Sequence, residues 1–167
     1  MKGQIISMDL MVASLIVITI ISGLGVLLYQ YTIYETQQSE LTALSLRSEP
    51  ALNVLMSSSG NPSDWETRSC DEIKSFGFLS EPAVVNSSKL EAFILLDYNC
   101  VKNRLGLSGY DFYFEARDAG RNLLNINGFD ITAGYKPPAG SNAIFSERKA
   151  WVDESYIATI TFGVWYE

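Results

Sequence analysis

The sequence contains no histidine and only two cysteines among its 167 residues. Without histidine, the chain lacks the general base of a Ser-His-Asp triad and a principal zinc ligand. Two cysteines are also too few for a four-cysteine zinc site. Basic residues are scarce, because 12 lysines and arginines stand against 19 aspartates and glutamates, for a net charge of −7. Since nucleic-acid affinity comes mainly from cations that neutralise phosphates, we expect no nucleic-acid partner.

The acidic residues that are present do not form a catalytic or calcium-binding pattern. Asp71-Glu72 and Asp153-Glu154 are adjacent pairs without the spacing of an EF-hand loop. Solvated surface positions are the simpler interpretation of both pairs, given how acidic the chain is. We therefore expect no enzymatic activity, no cofactor and no metal site.

Charged residues are also missing from a long N-terminal stretch, positions 10 to 34. The polar side chains within residues 10–29, apart from the terminal tyrosine, are those of Ser14, Thr19 and Ser22. Twenty helical residues rise about 30 Å, which matches the hydrocarbon core of a bilayer. The sequence therefore predicts a membrane-spanning helix over residues 10–29.

Two alternatives compete with a retained membrane anchor. The stretch resembles the core helix of a soluble domain, or a secretory signal peptide cut near Ser22, Gly23 and Gly25. Signal peptides carry apolar stretches of about 7–15 residues, whereas this one continues through residues 24–29. We therefore favour an anchor that stays on the protein.

Charge at the two ends of the span predicts its orientation. Lys2 and the amino terminus precede it, while Glu35 and Glu40 follow it and the first downstream cation is Arg47. The positive-inside rule then places the N-terminus in the cytoplasm and the C-terminal part outside the cell, as in a single-pass membrane protein.

The helix is predicted to continue beyond the membrane. Residues 30–48 contain no proline or glycine, and apolar residues recur at three- and four-residue steps as far as residue 55. Pro50 is expected to bend or end the regular helix, with a further turn or two after it. The run of serine, glycine, asparagine and proline at 57–62 indicates a linker. We therefore divide the chain into a long helix at 4–56, a linker at 57–62 and a head domain at 63–167.

The head shows both helical and strand patterns. Apolar spacing predicts one helix at 89–105 with Gly106 as its C-cap, and alternation predicts a strand at 110–117. A turn at 118–120 is expected to let residues 121–126 pair back on this strand. The pattern also predicts a terminal hairpin, with strands at 145–152 and 156–166. The predicted fold class is α+β, with the long helix packed on an antiparallel β-sheet.

The N-terminus carries a recognisable pattern, Met1-Lys2-Gly3-Gln4, followed closely by Asp9 and the apolar run. In this, the chain resembles archaeal type IV pilin-like proteins with a class III signal peptide. The resemblance implies that a membrane prepilin peptidase cuts between Gly3 and Gln4, which removes residues 1–3. It also implies that the apolar helix stays on the protein and joins those of other subunits in a filament core.

Asp9 has three open interpretations. The resemblance implies that its carboxylate meets the free amine of Gln4 on a neighbouring subunit. Alternatively, it interacts with the helix dipole or lies among the lipid headgroups. In the family's common pattern a serine and a glutamate come two and four residues after the glutamine, whereas Ser7 and Asp9 come three and five after Gln4.

The head is similar in order and type of pattern to a subgroup of the same proteins. The matching stretches are 61–65, the helix at 89–105 with 107–113 after it, and the closing Val164-Trp165. The function that the resemblance implies is a structural subunit of a pilus-like filament or pseudopilus, with its head exposed for adhesion or assembly. A monomeric, membrane-anchored extracellular binding module is the alternative.

Cys70 and Cys100 form an even pair on the side of the membrane predicted to be outside, where disulfides persist. A disulfide between them is favoured over two buried thiols. A redox pair is disfavoured, because the spacing is not Cys-x-x-Cys.

Two further features carry open alternatives. Asn86-Ser87-Ser88 is an N-glycosylation sequon, but it coincides with a predicted helix start, where a serine can serve as the cap. The three tryptophans, nine tyrosines and eight phenylalanines follow helix and strand periodicity, which favours core packing. An exposed cluster of them would instead bind carbohydrate or a partner surface.

Overall fold

The computed structural model describes residues 2–166, with side chains described for 8–35 and 41–166. The chain divides into two units, Met1–Glu40 and Leu41–Glu167. Helix α1 (Lys2–Ser57) contributes to both. The second unit combines the end of this helix with a β-sheet, so the fold class is α+β as predicted.

The C-terminal part of α1 belongs to the second unit and is amphipathic. Its buried side chains recur at helical spacing, at Leu44, Ser48, Leu52 and Leu55. The Ser48 hydroxyl donates to the Phe162 carbonyl at 3.0 Å, so this face of the helix lies on the sheet. Burial of an apolar stripe is the usual source of stability for such a helix.

The expectation that Pro50 bends or ends the helix is corrected in one respect, because α1 continues through Pro50 to Ser57. Proline removes the N–H that would bond to the carbonyl four residues earlier, that of Leu46. Leu46 and Pro50 are both exposed, so the missing bond lies on the solvent side of the helix. Burial of Ala51, Leu52 and Leu55 holds the following turns in place.

The rest of the head contains two short helices and eight strands among the described residues. The helices are α2 (Ser87–Leu95) and α3 (Tyr98–Arg104). The strands are β1 (Leu79–Glu81), β2 (Val84–Val85), β3 (Tyr110–Arg117), β4 (Asn125–Ile126), β5 (Phe129–Asp130), β6 (Thr132–Gly134), β7 (Ala143–Val152) and β8 (Tyr156–Tyr166).

Six of these strands form one sheet in the order β1-β2-β7-β8-β3-β6, and β4 and β5 pair separately. Every neighbouring pair is antiparallel except β2 with β7. The predicted strand at 110–117 and the predicted terminal hairpin are both confirmed. Register places Phe112 opposite Val164 and Phe114 opposite Phe162, with all four side chains buried.

One predicted helix is wrong, and one predicted pairing is shorter than the segment that was expected to form it. The single helix expected at 89–105 is two helices, because the chain leaves helical geometry at Leu96 and Asp97 begins a new helix as its N-cap. The Asp97 carboxylate accepts from the Cys100 amide at 3.0 Å. The segment 121–126 does pair back after the turn, through an antiparallel bridge between Leu123 and Arg117 and a bond from the Leu124 amide to the Ala116 carbonyl at 2.8 Å. The contact is short, because the end of the segment pairs with β5. Gly106 follows α3 at φ +69, as a C-cap glycine does.

Aromatic side chains form the centre of the head core. Phe93 of α2 lies with its ring centroid 5.0–5.5 Å from those of Phe76, Phe78 and Phe114, in edge-to-face geometry. Trp65 packs edge-on to Phe76 at 5.2 Å, and its indole N–H donates to the Gly77 carbonyl at 2.8 Å. Such pairs are favourable beyond the area that they bury. Core packing is therefore the role of these five aromatic residues.

Candidate functional site

The N-terminal unit offers an apolar helical surface. Met8–Glu35 is a 28-residue stretch of α1 with a mean hydropathy of 2.6, and none of its most apolar window is buried. Its large apolar side chains, from Met8 to Tyr34, are 44–72% exposed. Among the described residues there is therefore one helix that is long and apolar enough to cross a membrane.

The hydroxyl groups of Ser14 and Thr19 in this segment are satisfied by the helix itself. Ser14 donates to the Met11 carbonyl at 2.9 Å, and Thr19 donates to the Ile16 carbonyl at 2.8 Å. Polar groups without partners are costly in an apolar medium, and a bond back to the preceding turn removes most of that cost. These side chains are thus compatible with lipid or with a second apolar helix.

The residues expected at the processing and assembly site lie at the start of this helix. Asp9 is exposed and stands one residue into Met8–Glu35. Gly3 and Gln4 belong to the helical backbone of α1, but their surroundings lie outside the described side chains. Removal of residues 1–3 therefore stays a prediction.

Cys70 and Cys100 form a disulfide, with Cα atoms 6.1 Å apart. The bond ties the one-turn 3₁₀ helix Cys70–Glu72 to α3. The Arg104 guanidinium adds a second connection, because it donates to the Cys70 carbonyl at 3.2 Å. This arrangement has the form of a structural crosslink.

Asn86 is the N-cap of α2, a role that the sequence assigned to its serine neighbours. Its side-chain oxygen accepts from the Ser88 amide at 2.8 Å and from the Lys89 amide at 3.4 Å. A glycan would attach to the amide nitrogen of the same side chain, so capping and glycosylation use different atoms. The sequon therefore stays a candidate modification site.

One carboxylate of each acidic pair holds local backbone structure. Glu72 accepts from the Ser69 amide in a capping box, and Asp153 accepts from the Ser87 amide at 3.1 Å. Among the described residues, no group of three or more acidic or cysteine side chains is placed to hold a metal ion.

Ser146 and Lys149 have a spacing used by some serine hydrolases, Ser-x-x-Lys, but here they lie on strand β7. Residues three apart on a strand point to opposite faces of the sheet. The Ser146 hydroxyl instead pairs with the Ser48 hydroxyl at 2.9 Å, against α1. These two residues therefore do not form a nucleophile–base pair.

The opposite face of the sheet carries a polar groove, which sequence patterns did not reveal. We call it the outer face, defined by the alternate residues of β3, β7 and β8 that share the side of Glu115, Glu147 and Thr161. The groove has a volume of about 810 Å³. Its charged lining residues are Glu115, Arg117, Asp118, Arg121, Glu147 and Lys149.

Hydrogen bonds fix the floor of this groove. Arg117 donates to both carboxylate oxygens of Glu115, at 2.6 and 2.9 Å, and the Tyr113 hydroxyl donates to the same carboxylate at 3.0 Å. The Arg117 guanidinium holds the pKa of the Glu115 carboxyl below its usual value. Burial and the bond to Glu115 raise the pKa of Tyr113 to about 12. All three groups therefore keep their charge states around neutral pH.

Searches with the chain return no matching family model, no matching curated protein and no matching solved structure. The structure therefore defines the class of protein. It is an α+β head with a grooved outer sheet face, on a chain whose N-terminal helix is long and apolar enough to cross a membrane.

Proposed function

We propose that the chain is a pilin-like structural subunit. It is inserted in the membrane by residues 10–29 before assembly, and it then joins other subunits in a pilus-like filament or pseudopilus. The N-terminus lies in the cytoplasm and the head lies outside the cell, available for adhesion or assembly. A prepilin peptidase and further pilin-like subunits are the partners that this function requires.

The exposed apolar surface of Met8–Glu35 is the observation that carries this proposal. At 1.5 Å per residue, 28 helical residues extend about 42 Å, more than the hydrocarbon core of a bilayer. A soluble monomer rarely leaves so large an apolar surface in water. Lipid supplies the missing partner before assembly, and the same segment of neighbouring subunits supplies it in a filament.

Asp9 supports assembly over simple anchoring. A carboxylate at the mouth of an apolar segment is costly unless it is paired or reaches water. In a bundle of such helices, the free amine of a neighbouring subunit's Gln4 would pair with it and set the stagger between subunits. In a plain anchor, the helix dipole or the lipid headgroups would accommodate this carboxylate, but neither would set a stagger between subunits.

The first test reads the N-terminus of the mature protein. The chain is recovered from native membranes, and its N-terminal peptide is identified by mass spectrometry. We expect a peptide that begins at Gln4. A peptide beginning near Leu24 would mean a secreted soluble domain, and an intact Met1 would mean a plain anchor; either result contradicts the proposal, and the second favours a membrane-anchored binding module.

The second test addresses the role of Asp9. We expect Asp9→Asn to abolish or strongly reduce filaments seen by electron microscopy, while the protein remains in the membrane fraction. Glu35→Gln, at the other end of the segment, is the matched control and should assemble normally. Unchanged assembly of Asp9→Asn would refute the pairing with Gln4.

A further inference from the structure

The outer-face groove has the dimensions of a ligand site. Its volume of about 810 Å³ lies within the range of small-molecule sites in proteins, roughly 300–1,000 Å³. It crosses strands β3, β8 and β7. Thr159 and Thr161 of the middle strand, β8, lie between the charged residues of β3 and those of β7. A site built on paired strands holds its side chains more rigidly than one built on loops.

The charges of the groove balance. Its lining contains three acidic side chains, Glu115, Asp118 and Glu147, and three basic ones, Arg117, Arg121 and Lys149. This balance contrasts with the chain as a whole, whose net charge is −7. A groove without net charge gives little attraction to an ion. It offers many donors and acceptors to a neutral ligand that has both.

Several of these groups are held in place before any ligand binds. The Glu115–Arg117 pair is bidentate, and Arg117 also donates to the Arg121 carbonyl at 2.8 Å. Asp118 accepts from the Asn122 amide at 2.8 Å, which fixes the turn beside the groove. Preorganised groups lose little conformational entropy on binding, so their hydrogen bonds count more fully toward affinity.

An apolar platform extends the groove on the same face. Trp151 of β7 lies opposite Ile157 of β8, next to the Lys149–Thr159 pair that lines the groove. The two side chains are 46% and 43% exposed, respectively. An indole ring presents a negative π-face, which attracts the weakly positive C–H groups of a flat, partly apolar ligand.

We propose that this groove binds a neutral oligosaccharide. Sugar hydroxyls both donate and accept hydrogen bonds, which suits alternating carboxylates, cations and threonine hydroxyls. The C–H face of a pyranose ring suits Trp151. A glycan of a cell surface or of an extracellular matrix is the kind of molecule that presents this chemistry, and the inference is independent of whether the chain assembles.

Ligand-observed saturation-transfer NMR on the full chain tests this proposal. The protein is held in phosphatidylcholine nanodiscs, which contain no sugar. The probes are maltotriose, cellotriose, mannotriose and tri-N-acetylchitotriose, with a sialylated trisaccharide as the acidic comparison. We expect saturable binding of at least one neutral probe, with a Kd of about 1 mM or tighter, and weaker binding of the acidic one.

Variants then locate the binding. Trp151→Ala should weaken it about tenfold or more, and Glu147→Gln several-fold, with thermal stability monitored in parallel. Phe129→Ala is the matched control, since Phe129 is 45% exposed and does not line the groove. The control should bind like the parent.

Three results would overturn the proposal. The first is that no neutral probe binds saturably up to about 10 mM, a concentration far above the expected Kd. The second is that the parent, Trp151→Ala and Glu147→Gln bind equally well. The third is that the acidic trisaccharide binds more tightly than every neutral one. Self-association that Trp151→Ala abolishes, without binding of any sugar, would also overturn it and would assign the face to a second copy of the chain.

Discussion

The two parts of helix α1 use serine in opposite ways. In the N-terminal unit, the Ser14 hydroxyl donates to a carbonyl of its own helix, and the side chains around it are exposed on all sides. In the second unit, the Ser48 hydroxyl is buried and donates to Phe162 of β8, 114 residues later in the chain. One part is thus satisfied locally and lacks apolar partners, whereas the other is held by tertiary contacts.

This difference indicates where each part obtains its stability. Full burial of a large aliphatic side chain stabilises by about 1.5–3 kcal/mol. Leu44, Leu52 and Leu55 obtain this stabilisation inside the head, where all three are buried. The apolar residues of Met8–Glu35 are exposed in the described structure, and under the proposed function lipid or other helices would bury them. Substitutions in one part or the other therefore separate the two sources of stability.

Two charges in the apolar segment should abolish membrane insertion. Ile18→Asp with Ile21→Asp costs about 5–7 kcal/mol at the centre of the span, against about 3–6 kcal/mol gained from the ten Leu, Ile and Val residues of 10–29 that remain. We expect the protein to leave the membrane pellet on alkaline carbonate extraction, with the unfolding transition of the head unchanged. Ile18→Leu with Ile21→Leu is the control and should stay in the pellet. Retention of the aspartate variant would show that the segment is held by something other than lipid.

A core substitution should have the converse effect. Phe93→Ala removes a fully buried ring that contacts Phe76, Phe78 and Phe114, and we expect a loss of about 3–5 kcal/mol in the free energy of unfolding of the head. Denaturant unfolding followed by near-UV circular dichroism measures it, and carbonate extraction should be unaffected. The exposed Phe129→Ala should change stability by less than about 0.5 kcal/mol. A small effect of Phe93→Ala would contradict the aromatic core.

Loss of the disulfide should be nearly as large. Cys70 and Cys100 are 30 residues apart, and closing a loop of that length stabilises by about 3–4 kcal/mol in the chain-entropy model. We expect Cys70→Ser with Cys100→Ser to lower the free energy of unfolding by that amount. A reducing agent should have the same effect on the parent and none on the double variant. Equal stability of parent and variant would mean that the bond does not constrain the unfolded chain.

The two serines give a matched pair of substitutions. Ser48→Ala leaves buried polar groups without a partner, and we expect it to lower head stability by about 1–2 kcal/mol. Ser14→Ala removes a local bond on an exposed helix surface, and it should leave both head stability and membrane extraction unchanged. Thermal unfolding of the two variants compares them directly. An equal effect of both would contradict the distinction between the two parts of α1.

Loss of the Asn86 cap should lower stability by no more than loss of the Ser48 hydroxyl does. Asn86→Ala removes the N-cap of α2 and should cost about 1 kcal/mol, whereas Asn86→Asp keeps a capping oxygen and should cost little. Both variants destroy the sequon, whereas only Asn86→Ala removes the cap. Comparing the intact mass of the parent with that of each variant therefore detects a glycan independently of capping. A glycosylated parent would differ from Asn86→Asp by the mass of the glycan.

Strands were easier to predict than helix boundaries. Apolar residues at every second position, such as Phe112 and Phe114 or Ile160, Phe162 and Val164, indicated two strands, and both have the expected bounds. The break between α2 and α3 was missed, because apolar residues keep helical spacing across it and Asp97 reads as an ordinary polar residue. Its capping bond to Cys100 is visible once the chain is folded. The available signal was Asp97 itself, because aspartate is a favoured N-cap residue and its side chain can accept from the amide three residues later.

The groove was not predictable for a related reason. Glu115 and Arg117 are two apart on β3, and that spacing places them on one face of the sheet. Which residues of β7 and β8 join them depends on strand order and register, which are set by contacts far apart in sequence. The residue types of the groove and its platform are visible in the sequence, but the sequence does not show that they share one face of the sheet.

The apolar character and the length of the N-terminal segment follow from the amino-acid sequence, because hydropathy and the absence of charge add up residue by residue along one helix. The sequence also determined the periodicities that make the head α+β. The Cys70–Cys100 disulfide was favoured from the sequence and is confirmed, whereas the continuation of α1 past Pro50 and the formation of the outer-face groove were decided by the tertiary structure. These last two features depend on burial and pairing between residues distant in the chain, and no local pattern records such contacts.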